Sequence, residues 1–262
     1  MVSFDNESEK NASACQLSLQ EKNKGILNGL LDNLAETKGV WREQPLTAFA
    51  ALGESGNPKE LMVVGRAVNS WTNKWHADDI KDPDVRSRIV DEAFAATEWH
   101  DGHPMRWVTA RWGLRDRYST KKSSFWRVVR AVVNGLEIAD VTDLAWPSSI
   151  CWSNLYKVSP HAGGNPSRRL AAAQLHSCID MLEGEISEWQ PRRILFLTGL
   201  NWARPFVRSF GWDLKLHNDI GEIEAKGIAS AGAQIVIAPH PQGRREVRLT
   251  KSIVEAFLQK GQ

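Results

Sequence analysis

What this chain has little of narrows it first. Its three cysteines, Cys15, Cys151 and Cys178, share no close spacing, which argues against a disulfide framework, a zinc knuckle or a four-cysteine iron–sulfur cluster. A reduced cytoplasm is the simplest compartment for so few scattered thiols. Long apolar runs are missing too. No stretch approaches the ~20 apolar residues of a membrane span, and residues 1–20 are polar and acidic without the hydrophobic centre of a signal peptide. Neither membrane insertion nor export is expected. Charge of one sign is not in excess, since 33 Lys and Arg face 31 Asp and Glu. Total charge therefore does not mark a nucleic-acid binder, and any such signal must come from local clustering. There is no internal repeat and no low-complexity linker.

What is present is a set of three apolar runs that each stop at a turn. LMVVGRAVNSW begins at Leu61, ICWSNLYKVSP at Ile150 and QIVIAPHPQGRR at Gln234. Each run is short enough for a buried strand, and each ends in Gly, Asn or Pro-His-Pro, residues that turn the backbone and present polar groups. In open α/β sheets the carboxyl ends of strands are where ligands bind. RILFLT from Arg193 reads as a further core strand, entering a short helix through Gly199-Leu200-Asn201. Helical spacing is predicted from Lys24 (Ile26, Leu27, Leu30, Leu31, Leu34), from Pro83 through Phe94, from Phe125 to Val133, from Ser167 to about Trp189 and from Val247 to Leu258. Strands alternating with helices imply a three-layer α/β/α fold around a mainly parallel sheet. Residues 1–23 read as a loose arm and residues 24–262 as one α/β domain.

The loops carry chemistry of graded sharpness. Gly65 permits a tight turn, and Asn69 follows closely enough to present an amide; a glycine turn with a surface Asn is the plain alternative. Asn154 follows an apolar run directly and offers a donor and an acceptor suited to the Watson–Crick edge of a base, although Asn is also an ordinary turn former. His240 is sharper. Pro239 and Pro241 restrict the backbone around an imidazole that can stabilise negative charge on a departing group, and Gln242, Gly243, Arg244 and Arg245 follow at once.

In order and content the three loops resemble the uracil-DNA glycosylase superfamily, where a Gly-led loop follows the first core strand, an Asn ends a middle one and His-Pro follows the last. SNLYKVSP from Ser153 is similar to the Asn-led segment of family-four-type enzymes, RILFLTGLNWARPF to their strand and Gly-led helix, and APHPQGRR to their His-Pro-Ser loop. The resemblance covers Leu61 to the C-terminus. It implies that Gly65, Ala67, Trp71 and Asn154 contact a flipped base, that His240 stabilises the leaving base, and that Lys157, Ser159, Gln242, Arg244 and Arg245 contact DNA. It further implies a monofunctional N-glycosylase without metal or organic cofactor, acting on DNA as a monomer.

Departures from the family are informative. Ala67 stands where many members have Asp or Asn, Arg66 where the family-four pattern has Glu, and Gln242 where the family has Ser. The cluster-binding cysteines of families four and five are absent. The group that positions water is therefore missing from its usual place; Asn69 is the first substitute, followed by Asp78, Asp79 and Asp101. A changed first loop suggests a changed base, such as the hypermodified cytosines of phage DNA that some bacterial defence glycosylases resembling this superfamily attack.

Twelve Trp is a high number. Trp71, Trp75, Trp99, Trp107, Trp112, Trp152 and Trp202 lie near the loops, where flat rings can stack on bases, though most Trp pack in cores. Between Arg106 and Arg130 the cations Arg106, Arg111, Arg115, Arg117, Lys121, Lys122, Arg127 and Arg130 face Asp116 as the single acid, as a phosphate-tracking groove requires. His76, His100, His103 and Asp101 have ligand chemistry but no recognised metal spacing. Two rivals remain at this stage: a catalytically silent nucleic-acid-binding module, which Ala67 favours, and a small-molecule nucleoside hydrolase.

Overall fold

The computed structural model describes residues 5–54, 59–94, 103–115, 118–217 and 222–259, with side chains described from residue 20 onward and that of residue 40 left out. Helix α1 (Asp5–Glu36) starts upstream of the predicted Lys24, within the segment read as an arm. Leu27, Leu30, Leu31 and Leu34, spaced as one helical face, are all 0–1% exposed. That stripe packs against α5 (Arg168–Trp189), where Asn33 Nδ2 also donates to the Ala173 carbonyl at 2.9 Å. Arg86 on α2 (Pro83–Phe94) reaches back to Asn28 and Asp32 of α1.

Seven strands form the main sheet. Its four central strands are parallel and lie in the order β4 (Ile150–Tyr156), β3 (Leu61–Ala67), β6 (Arg193–Phe196), β9 (Gln234–Ile237). Antiparallel strands flank them: β2 (Ala51–Leu52) beside β4, then β8 (Ala225–Ile228) beside β9 and β7 (Leu214–Leu216) outermost. A separate two-stranded sheet pairs β1 (Leu46–Ala48) with β5 (Val158–Pro160). The four apolar runs predicted as core strands are the four parallel ones. They read as continuous apolar segments because both faces are covered.

Alternation along the strands separates two cores. Met62, Val64, Ile194, Phe196, Ile235 and Ile237 face α1, α2, α5 and α6 (Leu200–Ser209). Leu61, Val63, Leu195 and Val236 face the opposite side, against α4 (Ser124–Gly135), α7 (Glu246–Leu258) and the short α3 (Trp107–Ala110). Period-two alternation thus makes each strand serve both layers. Ser167 caps α5 by accepting from the Leu170 N–H at 3.3 Å, and the helix ends at Gln190 in the left-handed region (φ 40°) before Pro191.

The order β4-β3-β6-β9 has a directional consequence. From β3 the chain passes to β4 on one side, then crosses back to β6 on the other, so the connections diverge between the carboxyl ends of β3 and β6. Such a divergence leaves a crevice where α/β sheets bind ligands. Arg66 spans it, its Nε donating to the Thr198 carbonyl at 2.7 Å.

Candidate functional site

Gly65 and Asn154 are register partners within β3 and β4, which run on to Ala67 and Tyr156 rather than stopping at the Gly and the Asn as the apolar runs suggested. By alternation both face α4, with Trp152 beside Asn154. A Cβ at Gly65 would overlap Asn154 Oδ1 and come to 3.6 Å from Phe125, so the bare glycine admits the carboxamide. Asn154 is only 2% exposed, and its Nδ2 finds no acceptor among the described residues. A buried donor left unmatched costs ~1–3 kcal/mol, a cost that a ligand oxygen would offset. The indole N–H groups of Trp71, Trp107 and Trp152 are in the same condition.

The residues that carry these donors line a cavity of about 920 Å³. Gly65, Ala67, Asn69 and Trp71 line it from the first loop, Asn154 from β4, and His240 with Gln242 from the third loop. Phe125, Trp126 and Tyr118 close the α4 side. The aromatic wall is continuous: ring centroids are 5.9 Å apart for Trp71 and Trp107, 5.3 Å for Trp107 and Trp126, and 5.2 Å for Trp126 and Trp152. Such rings provide large flat surfaces with few rotatable bonds.

His240 is partly buried, with its ring near-parallel to Phe125 at 6.4 Å. Its Nδ1 accepts from the Gln242 backbone N–H at 3.2 Å, which leaves the proton of the neutral ring on Nε2. Burial and then the nearby Arg66 charge lower its pKa to about 4. The imidazole is therefore a neutral donor at pH 7 rather than a cation. Arg66 itself is held below the usual guanidinium range by burial, partly offset by the charge of Glu224. It lies 5.5 Å over the Trp202 ring.

Arg66, His240 and Gln242 also line a second cavity, of about 320 Å³, at the start of α6. Gly199 makes the turn from β6 into that helix at φ 79°, a conformation glycine adopts without strain. Glu224, Trp202 and Arg244 complete its wall.

Two residues expected to contact DNA lie elsewhere. Lys157 is fully buried, its Nζ 2.7 Å from Glu185 Oε1, 2.8 Å from Ser153 Oγ and 3.2 Å from the Ala50 carbonyl. Ser159 is also fully buried and donates to the Val68 carbonyl at 2.7 Å. The reason is topological: β4 leads straight into β5, which pairs with β1, so Lys157 is taken up by Ser153 and Glu185 of α5 and Ser159 by the backbone of Val68. Burial pushes the Glu185 carboxyl up despite the pull of Lys157.

Arg244 and Arg245 are exposed, Arg244 at the smaller cavity and Arg245 immediately before α7. Asn69 stands at the rim, and its Oδ1 is committed to the Gly164 N–H at 3.0 Å, so Nδ2 is the atom left to offer. Asp78 pairs with Arg42 and Lys81, and Asp79 accepts from the His76 N–H; neither lines a cavity. Among the predicted Trp, Trp75 is core and Trp112 packs under Arg130. Trp99, His100, Asp101, Asp116 and Arg117 lie outside the described residues. Of the basic stretch, Arg111 and Lys122 reach the larger cavity, whereas Arg127 pairs with Glu246. His103 bonds Glu54 at 2.8 Å, and the described residues contain no group of three or more His, Cys, Asp or Glu able to hold a metal.

Sequence reasoning did not select Phe125, Trp126 or Glu224 as site residues. The first two open α4, and their aromatic pair could have signalled a wall rather than a helix face. Glu224 sits in GEIEAKG, which has no motif. No protein-family model matches the chain, and no curated protein matches it.

Proposed function

We propose that this chain is a DNA glycosylase of the uracil-DNA glycosylase type, acting on a modified pyrimidine swung out of its helix. The observation that carries the reading is the convergence of Gly65, Asn154 and His240, from three separated segments, on one cavity whose wall includes Asn154 with its amide donor unmatched. Asn154 Nδ2 would donate to a carbonyl oxygen or ring nitrogen of the base, with Phe125 and the Trp wall packing its faces. As the N-glycosidic bond lengthens, charge accumulates on the base, and the Nε2–H of neutral His240 donates to it without first having to lose a proton. A neutral donor suits a reaction whose leaving group must become negative. Exposed Arg244 and Arg245 would hold the strand through its phosphates.

Size supports a modified base. Pockets of ~300–1,000 Å³ hold drug-sized ligands, and about 920 Å³ is more than a bare pyrimidine ring requires. Trp71, Trp107 and Trp152 line the same cavity and carry indole N–H groups without a partner, which would suit a polar substituent such as a sugar on the ring. Duplexes carrying uracil, a thymine mismatch or glucosylated hydroxymethylcytosine, incubated with the protein and then cleaved with mild alkali, test the reading. The expected outcome is abasic sites on the bulky base. Absence of abasic sites on every duplex would defeat it.

A further inference from the structure

We infer that Glu224 is the carboxylate that activates water in this reaction, an inference that rests on the glycosylase reading above. The first loop offers no acid, because Ala67 and Arg66 occupy the positions where one is expected. Among the described residues lining either cavity, Glu224 is the one carboxylate. It is delivered at the same edge of the sheet as the first loop, by the residues that lead into β8 beside the carboxyl end of β9.

The Glu224 backbone is held on both sides. The Glu224 backbone N–H donates to the Ile237 carbonyl at 2.8 Å, and its carbonyl accepts from His217 at 3.0 Å. One carboxylate oxygen, Oε2, accepts the Leu200 N–H at the start of α6, which leaves Oε1 without a hydrogen-bond partner among the described residues. A point above Gly199 lies 3.6 Å from Glu224 Oε2 and 3.7 Å from Arg66 Nη2, so the acid and the cation flank the same glycine. Arg66 in turn touches the larger cavity, where it lowers the His240 pKa. The smaller cavity therefore adjoins the base pocket through Arg66, His240 and Gln242. A nucleotide with its base at Asn154 would carry its sugar past His240 toward Glu224.

The step balances. The N-glycosidic bond breaks with its electron pair passing to the base, where His240 Nε2–H stabilises it. Water adds through oxygen to C1′ of the resulting oxocarbenium ion, and its proton passes to Glu224 Oε1. That proton is then lost to solvent while the base anion takes one up, so water and glycosylated base become free base and a C1′ hydroxyl.

The bland role for Glu224 is to cap α6, and the glutamine variant separates the two. In Glu224→Gln the amide oxygen can still accept the Leu200 N–H, but the group no longer takes a proton. The expected result is an unchanged melting temperature, an unchanged KM and a kcat lower by ~10²–10³-fold, within the range for loss of a general base. A Glu224→Gln variant within threefold of wild type would reduce Glu224 to a cap and overturn the inference while leaving the glycosylase reading intact. A wild-type protein that releases base from no duplex removes both. If Glu224→Gln unfolds, Glu224→Asp decides instead: a retained carboxylate that keeps more than a tenth of the rate in a folded protein supports the role, and one no better than Glu224→Ala overturns it.

Discussion

Replacing Gly65 by Ala probes the centre of the site. Gly65 does not use a left-handed backbone, so alanine meets no conformational strain there. The obstacle is steric: the added methyl overlaps Asn154 Oδ1. With Asn154 2% exposed and packed beside Trp152, the carboxamide must leave its rotamer or push the two strands apart. Overpacking of this kind costs ~1–3 kcal/mol, while the glycine-to-alanine change returns ~0.4–1 kcal/mol by stiffening the unfolded chain. The net loss is then about 0–2.5 kcal/mol, too broad to be diagnostic alone. The coupling is diagnostic. In an Asn154→Ala background the overlap vanishes, so the same methyl should be neutral or stabilising, and the double-mutant cycle should give an interaction of about 1–3 kcal/mol. Urea denaturation of the four proteins measures it. A Gly65→Ala cost that is the same with and without Asn154 would refute the claim that this glycine exists to admit that side chain.

Other expectations concern charge and packing. His240→Ala should slow single-turnover base release by ~10²–10³-fold, as loss of a preorganised donor does, with duplex affinity changed only a few-fold in a binding titration. The depressed pKa of His240 also fixes the sign of a stability effect. The unfolded chain takes up this proton near 6.5, the folded protein only near 4, so the unfolded state holds more protons in between. Stability associated with His240 is complete above pH 6.5 and is lost as pH falls toward 4; melting temperatures of wild type and His240→Gln should diverge over that window, with wild type falling more steeply. Lys157→Met should cost ~3–5 kcal/mol because it strands Glu185, and adding Glu185→Leu should recover much of that loss in chemical denaturation. Leu30→Ala should cost ~2–5 kcal/mol in the same assay, since Leu30 is 1% exposed in the stripe under α5.

Much of the sheet was legible in the sequence for one physical reason. β3, β4, β6 and β9 are covered on both faces, so each spells an apolar run, although β3 and β4 continue past Gly65 and Asn154 to Ala67 and Tyr156. The flanking strands carry no such signal. β2 has two residues, and β7 places Leu216 at 58% exposed on an outer edge, so neither run nor alternation marks them. Gly65, Asn154 and His240 were legible because each interrupts a strong strand with a residue of special chemistry. Lys157, a DNA contact by resemblance, is instead the structural lysine that sequence alone could equally supply, because its partner Glu185 comes from α5, distant in the chain. Glu224 had no local signature at all, since its place beside His240 arises from β8 lying next to β9 and only the sheet order brings the two together.

The aromatic wall has an optical consequence. Trp71, Trp107, Trp126 and Trp152 sit within 6 Å of their neighbours around one space, close enough for their excited states to mix. The near-ultraviolet dichroism of the chain should therefore carry a coupled contribution from this quartet, and a ligand that stacks among the rings should change it without a label.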